Sequence, residues 1–252
     1  MPFTKKIVAF DLDGTLTESK QSLAPDIAEL LAKLSSVAKV AIISGGSYKQ
    51  YEKQFLPFLS TIDLVKSNLF LLPTSGSQCY EYDSNLSQWK IVDEEPFPAE
   101  VKDRVLVAFK EIIASGQYGI PTESWGEIIE DRGTQITLSA LGQEAPIVEK
   151  QKWDPNQQKR QKIKAELEKS LPEVNIGIGG TTSIDILPKG FNKAIGLKRL
   201  LERLGYQPTD LLFVGDAIFP GGNDYSVFEA GIEIVKVVGP KDTAKVIETW
   251  LN

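Results

Sequence analysis

Short runs of four apolar residues recur along the chain, and several end in glycine, serine or a carboxylate. Ile7-Val8-Ala9-Phe10 leads into Asp11-Leu12-Asp13-Gly14-Thr15, and Val40-Ala41-Ile42-Ile43 into Ser44-Gly45-Gly46-Ser47. Leu69-Phe70-Leu71-Leu72 precedes the turn Thr74-Ser75-Gly76, and Leu211-Leu212-Phe213-Val214 leads into Gly215-Asp216. Unbroken apolar runs of this length, bounded by turn residues, read as buried strands. Between the first two, Ile27, Leu30, Leu31 and Leu34 fall at helical spacing behind Pro25, which suits a first helical turn. A helix through Tyr51 and Phe55 follows the second run. Strand, helix, strand and glycine-rich turn make a βαβ unit, so the pattern predicts a parallel sheet of the α/β class.

The pattern changes in the middle of the chain. From about residue 85 the sequence is polar and broken by prolines (Asp93-Glu94-Glu95-Pro96-Phe97-Pro98). A helix is predicted over 99–115, with Val101, Val105, Ala108, Phe109 and Ile112 apolar. Residues 135–140 alternate polar and apolar, as an antiparallel strand with one solvated face does. A charged helix is predicted over 157–170, its five basic residues diluted by Glu166 and Glu168 and read as a solvated face. Residues 182–187 alternate again, with Ile184 and Ile186 on one side and Ser183 and Asp185 on the other. That polar pair is either solvated or able to hold a polyol. These features make residues 86–187 an α+β insertion with an antiparallel sheet. The parallel pattern then resumes. A helix over 192–204 stops at Gly205, the strand at 211–214 follows, and Pro220-Gly221-Gly222-Asn223-Asp224 leads into a short helix. A strand at 234–238 and a helix over 242–251 come last.

Composition narrows the functions open to such a chain. Its 252 residues, 42% of them apolar, can build a sizeable core in one large or two small domains. A net charge of −6 argues against a general nucleic-acid binder. No run nears the roughly 18 apolar residues of a membrane span, so no membrane is expected. The N-terminal Met1-Pro2-Phe3 lacks a signal-peptide cleavage pattern. Cys79, the one cysteine, cannot form an internal disulfide, which fits a cytoplasmic location. The chain has no histidine. That excludes a Ser-His-Asp triad, a phosphohistidine and a His-ligated zinc, and leaves acid–base chemistry to Asp, Glu, Lys, Tyr or Cys.

The chemistry concentrates after the strands. Asp11 and Asp13 lie two positions apart at a strand end, and carboxylates that close repel unless a cation sits between them. Mg²⁺ suits them, since it takes hard oxygen ligands and leaves room for a substrate phosphate, and a carboxylate can itself attack phosphorus. Ser44 stands beside two glycines, either to meet a phosphate oxygen or simply to make a tight turn. Ligand sites in open parallel sheets lie beyond the C-terminal strand ends, so Asp11, Asp13, Ser44 and Asp216 are expected to converge.

The stretch Asp11-Leu12-Asp13-Gly14-Thr15-Leu16-Thr17 resembles the first motif of the haloacid dehalogenase superfamily of phosphoryl-transfer enzymes. Ser44 resembles its second motif, Lys193 its third, and Gly215-Asp216 with Asn223-Asp224 its fourth. The long spacing from Gly215 to Asp224 resembles the eukaryotic-type phosphomannomutases, as do Ser44-Gly45-Gly46-Ser47, Gly179-Gly180-Thr181-Thr182-Ser183-Ile184-Asp185 and Pro188-Lys189-Gly190-Phe191-Asn192-Lys193. The resemblance covers essentially the whole chain. It implies a Rossmann-like core of residues 1–85 and 188–252 and an inserted type IIB cap of residues 86–187.

By the same resemblance, Asp11 is the phosphoryl-accepting nucleophile and Asp13 the general acid/base. Mg²⁺ is held by Asp11, Asp216 and the Asp13 carbonyl, with Asn223 and Asp224 in support. Ser44 and Lys193 bind the reacting phosphoryl group, with Gly45 and Gly46 beside them at the substrate. Arg132 binds a distal phosphate, and Ser183 and Asp185 bind sugar hydroxyls. Gln143 and Lys150 stand where the family has two further arginines of the substrate site. The implied ligands are a small sugar phosphate and a hexose 1,6-bisphosphate activator, and the resemblance leaves room for a homodimer through the cap. Two reactions share this chemistry. If water accepts the phosphoryl group from Asp11, the enzyme is a sugar-phosphate phosphatase; if the sugar accepts it again, the enzyme is a mutase, the reading preferred here. A non-catalytic binding protein on this fold is expected to have lost Asp11 or Asp216, and both are present.

Overall fold

The structure, a computed structural model, describes residues 4–18, 21–59 and 64–252; the N-terminal Met1-Pro2-Phe3 read above lies outside them. In chain order the first elements are β1 (Ile7–Asp11), α1 (Pro25–Ser35), β2 (Lys39–Ile43), α2 (Tyr48–Gln54), α3 (Leu56–Leu59), β3 (Leu69–Leu72), β4 (Gln78–Asp83) and β5 (Gln88–Glu94). Next come α4 (Ala99–Ala114), β6 (Ile129–Asp131), β7 (Ile136–Ser139), α5 (Ile147–Trp153), α6 (Gln158–Ser170), β8 (Val174–Gly179) and β9 (Ser183–Pro188). The chain closes with α7 (Lys193–Leu204), β10 (Leu211–Gly215), α8 (Tyr225–Glu229), β11 (Glu233–Lys236) and α9 (Pro240–Leu251). These fall into two compact units, Met1–Glu94 with Asn192–Asn252, and Glu95–Phe191.

The first unit is built on a seven-stranded sheet in the order β11-β10-β1-β2-β3-β4-β5. β11, β10, β1, β2 and β3 run parallel, while β4 and β5 are antiparallel additions at one edge. β1 is central and buried on both faces, which is why it reads as an unbroken apolar run. Val8 and Phe10 pack into one core with α1 and α9; Ile7 and Ala9 pack into the other with α7. From β1 the chain moves one way, through β2 to β3, and later the other way, through β10 to β11. The boundary between β1 and β10 is therefore the point where strand order reverses, the preferred ligand position in such sheets.

The second unit carries a four-stranded antiparallel sheet, β6-β7-β9-β8. Its apolar face (Ile136, Leu138, Ile176, Ile184 and Ile186) packs with Phe109 of α4 and Ile163 and Leu167 of α6. Among the described residues, no helix is long and apolar enough to cross a membrane.

Two sequence expectations need correction. Residues 86–94 do not belong to the insertion, because β5 pairs along its length with β4 and extends the first unit's sheet. At the other end the division falls after Phe191 rather than at 187. β4, β5, β6, α5 and β8 are not among the predicted elements. β6 has only three residues, and Gly177 and Gly179 dilute the strand character of β8.

Candidate active site

Asp11 is the last residue of β1. The pairing of Phe10 with Val214 carries Asp11 and Gly215 to the same level of neighbouring strands, and Asp216 follows at once. The turn after β1 is tight: the Gly14 N–H donates to the Thr17 carbonyl (2.7 Å), and the Leu16 and Thr17 N–H groups both donate to the Leu12 carbonyl (3.0 Å each). Gly14 holds a φ of +91°, and a Cβ there would lie 2.7 Å from Asp216 Oδ2. Only glycine lets the turn take this shape and leaves room for that carboxylate. Thr15, inside the turn, donates from Oγ1 to Asp216 Oδ1 at 3.3 Å.

Lys193 enters from the first residue of α7, whose start is fixed by the Asn192 side chain accepting from the Ile195 N–H (3.1 Å). The ammonium donates to Asp11 Oδ1 and, at 2.7 Å, to Asp224 Oδ1. All three residues are buried, none more than 2% exposed. Asp224 lies at the head of α8, where its second oxygen accepts from the Ala217 N–H (3.1 Å). Asn223 beside it is exposed.

Charge decides how this cluster titrates. Burial pushes the Asp11 carboxyl well up; Lys193 opposes this, and the charges of Asp224 and Asp13 add to it. Asp216 is also raised, by burial first and by Asp224 second, against Lys193 and the Thr15 hydrogen bond. Burial alone would lower Lys193, but Asp11 and Asp224 together outweigh it and hold the ammonium charged, its pKa raised. Asp11, Asp216 and Asp224 offer carboxylate oxygens within 4.8 Å of one another. When all are ionised, one ammonium among three carboxylates leaves two negative charges uncompensated. Hard oxygen donors and a twofold charge deficit are what a divalent cation such as Mg²⁺ matches, and the space above Gly14 keeps the Asp216 carboxylate at that place.

Asp13 and Ser44 follow the ends of the neighbouring strands β1 and β2. Asp13 is half-buried, and its Oδ2 accepts from Gln50 Nε2 at 2.8 Å. Tyr51 next to Gln50 is wholly buried and donates to the Ile42 carbonyl (3.0 Å), which ties α2 to the end of β2. Gly46 permits the reach of Gln50, since a Cβ there would lie 2.1 Å from Gln50 Oε1. Ser44 is buried at the end of β2; its Oγ accepts from the Gly46 N–H (3.0 Å), and its carbonyl accepts from the Ser75 N–H (2.8 Å). Sequence reasoning missed Gln50 and Thr15. A glutamine in a first helical turn and a threonine in a turn are too common to stand out, and only the fold shows which carboxylates they hold.

The remaining predicted residues lie in the second unit. Arg132 is tied to Glu130 Oε2 through Nε (2.9 Å) and Nη2 (2.6 Å). Lys150 is buried, and its ammonium donates to the Gln143 backbone carbonyl at 2.8 Å. The Gln143 Nε2 is buried and has no hydrogen-bond partner among the described residues. Ser183 and Asp185 stand on one face of β9, opposite Ser139 and Thr137 of β7.

Known proteins resemble this chain along nearly its whole length. The phosphomannomutase of Schizosaccharomyces pombe is 28% identical, over 99% of this chain and 96% of its own length. That of Saccharomyces cerevisiae is 27% identical, over 98% and 94%. A probable phosphomannomutase of Caenorhabditis elegans is 26% identical, over 99% and 96%. Among solved structures, an N-terminally truncated IMP-nucleotidase of Plasmodium falciparum matches with a TM-score of 0.72 at 18% identity, over 98% of this chain and 71% of that one. A haloacid dehalogenase-like hydrolase of Bacteroides thetaiotaomicron matches with a TM-score of 0.63 at 15% identity, over 98% and 99%. At such identities these two likenesses speak for the fold alone. The family model of eukaryotic phosphomannomutase matches residues 27–252, nearly all of the sequence, and this chain belongs to the eukaryotic phosphomannomutase family.

Proposed function

We propose that the chain is a Mg²⁺-dependent sugar phosphomutase that moves a phosphoryl group between hydroxyls of a hexose phosphate by way of Asp11. The observation that carries this reading is the buried Asp11 at the end of the central strand, with Lys193 bridging it to Asp224. Asp11 takes its phosphoryl group from a hexose bisphosphate: an Asp11 oxygen attacks phosphorus, a P–O bond to Asp11 forms, and the P–O bond to the sugar breaks, leaving a sugar monophosphate. Asp13, held by Gln50, gives its proton to the departing sugar oxygen. In the complementary step Asp13 takes a proton from the free hydroxyl of a sugar monophosphate, which attacks the aspartyl-phosphate; the P–O bond to Asp11 breaks and the bisphosphate is formed again. Lys193 offsets charge on the phosphoryl oxygens, where most of the catalysis of such transfers resides. Because Ser44 Oγ already accepts from the Gly46 N–H, its own proton is directed elsewhere, and we assign it, with the Gly45 backbone, to a phosphoryl oxygen. Mg²⁺ held by Asp11, Asp216 and the Asp13 carbonyl would supply further positive charge at the phosphate, with Asp224 and Asn223 in support. In the second unit we assign Ser183 and Asp185 to sugar hydroxyls, and Arg132, with the Gln143 and Lys150 positions, to a distal phosphate. A hexose 1,6-bisphosphate would charge Asp11 at the start of the cycle.

Product analysis tests the reading. With mannose 1-phosphate and a catalytic amount of hexose 1,6-bisphosphate, the expected main product is mannose 6-phosphate, formed faster than free phosphate; without the activator the rate should fall. Stoichiometric release of phosphate with no isomer would make the chain a phosphatase and overturn the proposal.

The cation requirement has its own test. After exhaustive chelation turnover should be lost, and added Mg²⁺ should restore it, because the carboxylate cluster repels a substrate phosphate when uncompensated. Full turnover in chelator would remove the metal from the scheme.

A further inference from the structure

The polar face of the second unit's sheet is organised around one carboxylate. Thr137 and Ser139 of β7 stand directly opposite Asp185 and Ser183 of β9, and Gly177 and Gly179 of β8 stand opposite the same two residues on the other side. Gln135 shares the face, two residues before Thr137. Its Nε2 donates to Thr137 Oγ1 (3.0 Å) and to Asp185 Oδ1 (3.1 Å), and Thr137 Oγ1 donates to the same Asp185 oxygen at 2.8 Å. The chain of donors runs one way, from amide to hydroxyl to carboxylate. Gln135, Thr137 and Ser139 are each at most 1% exposed, whereas Ser183 and Asp185 are half-buried. Buried polar residues thus stand behind two accessible ones.

The two glycines differ in what they are for. A Cβ at Gly179 would lie 2.3 Å from Asp185 Oδ2, so this glycine is needed for the carboxylate to lie where it does. Thr137 and Gln135 hold the carboxylate through Oδ1, and Gly179 leaves the room that Oδ2 occupies. Gly177 has no such reason. A Cβ there would meet only the Asp185 carbonyl, at 3.8 Å, an ordinary contact, and its backbone is not in the left-handed region. Glycine weakens a strand interior and often marks a place where something else approaches closely.

We propose that Thr137 and Gln135 are positioning residues that orient Asp185 to accept from a ring hydroxyl of the sugar, and that Gly177 keeps the floor beside it clear for the ring. This rests on the sugar-phosphate reading above and deepens it. An ionised carboxylate only accepts, so its partner is an O–H. Ser139 Oγ and Ser183 Oγ lie 3.1 Å apart; such a pair uses one hydroxyl proton between them and leaves the other for an outside acceptor. Ser183 and Asp185 stand two residues apart on β9, roughly 7 Å along a strand. The strip therefore presents a donor and an acceptor at a separation that spans a pyranose ring, and it distinguishes hexoses by hydroxyls on different carbons. The residues singled out here do so indirectly, by fixing the groups that touch the sugar.

The test compares a hexose 1-phosphate with p-nitrophenyl phosphate, which has no hydroxyls for the strip to read. In Thr137→Val the ratio of kcat/KM for the sugar phosphate to that for the aryl phosphate should fall about tenfold, mostly through KM, as expected for loss of a hydrogen bond to a charged group. Thr137→Ser, which keeps the hydroxyl, should restore the ratio. Gly177→Val should lower it at least as far while thermal stability stays near wild type, and decides the matter if Thr137→Val does not fold. Equal losses in Thr137→Val and Thr137→Ser, equal losses on both substrates, or an unchanged ratio in Gly177→Val would overturn the proposal. Failure of the sugar-phosphate reading looks different: the wild-type protein itself would not turn over the hexose 1-phosphate.

Discussion

Replacing Asp11 with asparagine should stop turnover and leave the fold in place. The substitution keeps the shape of the side chain and removes the charge that attacks phosphorus. Loss of a nucleophile costs on the order of a millionfold in well-studied hydrolases, and with no histidine in the sequence a phosphohistidine cannot take over. Asp13 is held by Gln50 and is assigned to proton transfer. Stability should not suffer, because Lys193 keeps its 2.7 Å bond to Asp224, and one of three mutually repelling carboxylates is gone. The checks are kcat for the sugar phosphate and a thermal melt without added metal. More than about a hundredth of the wild-type rate, against losses of this kind, would remove Asp11 from the role of nucleophile.

How much of this could be read in advance depended on burial. β1, β2, β3 and β10 were legible because a parallel strand covered on both faces is apolar at every position, and because each ends in residues that cannot continue it. β4 and β5 were not. They lie at the sheet edge, their residues are mostly half-buried or exposed, and Gln78-Cys79-Tyr80-Glu81-Tyr82-Asp83 carries no clean alternation. The edge-to-face packing of Tyr82 on Trp89, ring centroids 5.4 Å apart, is what the two strands share. A pair of aromatics flanking Asp83-Ser84-Asn85 was the available hairpin signal. Missing it moved the domain boundary to 86.

The site divides in the same way. The placement of Asp11, Asp13, Ser44 and Asp216 at or just beyond strand ends was legible because those ends could be located. What joins them was not. Lys193 lies 182 positions from Asp11, and no local pattern says that it will bridge Asp11 to Asp224 rather than stand free for a phosphate. In the second unit the alternation at 182–187 gave the direction of Ser183 and Asp185 correctly. The hydroxyl and amide behind them became visible only with the register of β7 on β9, which sets Thr137 against Asp185.

Lys193 yields the second large expected effect, and it separates structure from catalysis. Lys193→Met keeps the length of the side chain and removes the ammonium. Asp11 and Asp224, each at most 2% exposed, then share a buried space without the cation that paired them. Breaking a buried ion pair from one side costs about 3–5 kcal/mol, or roughly 10 °C in Tm for a protein of this size. Catalysis should fall by about a thousandfold, the scale of losing one preorganised electrostatic contact to the transition state. Added Mg²⁺ should raise the Tm of Lys193→Met more than that of the wild type, because the variant has one more uncompensated negative charge for a divalent cation to meet. The measurements are thermal melts of both proteins with chelator and with Mg²⁺, and kcat under saturating metal. If the variant melts with the wild type and responds equally to Mg²⁺, Lys193 does not hold the carboxylates together. A recovered Tm with kcat still depressed is the expected outcome, since a metal bound by the carboxylates can restore their charge balance without supplying the ammonium that the phosphoryl oxygens require.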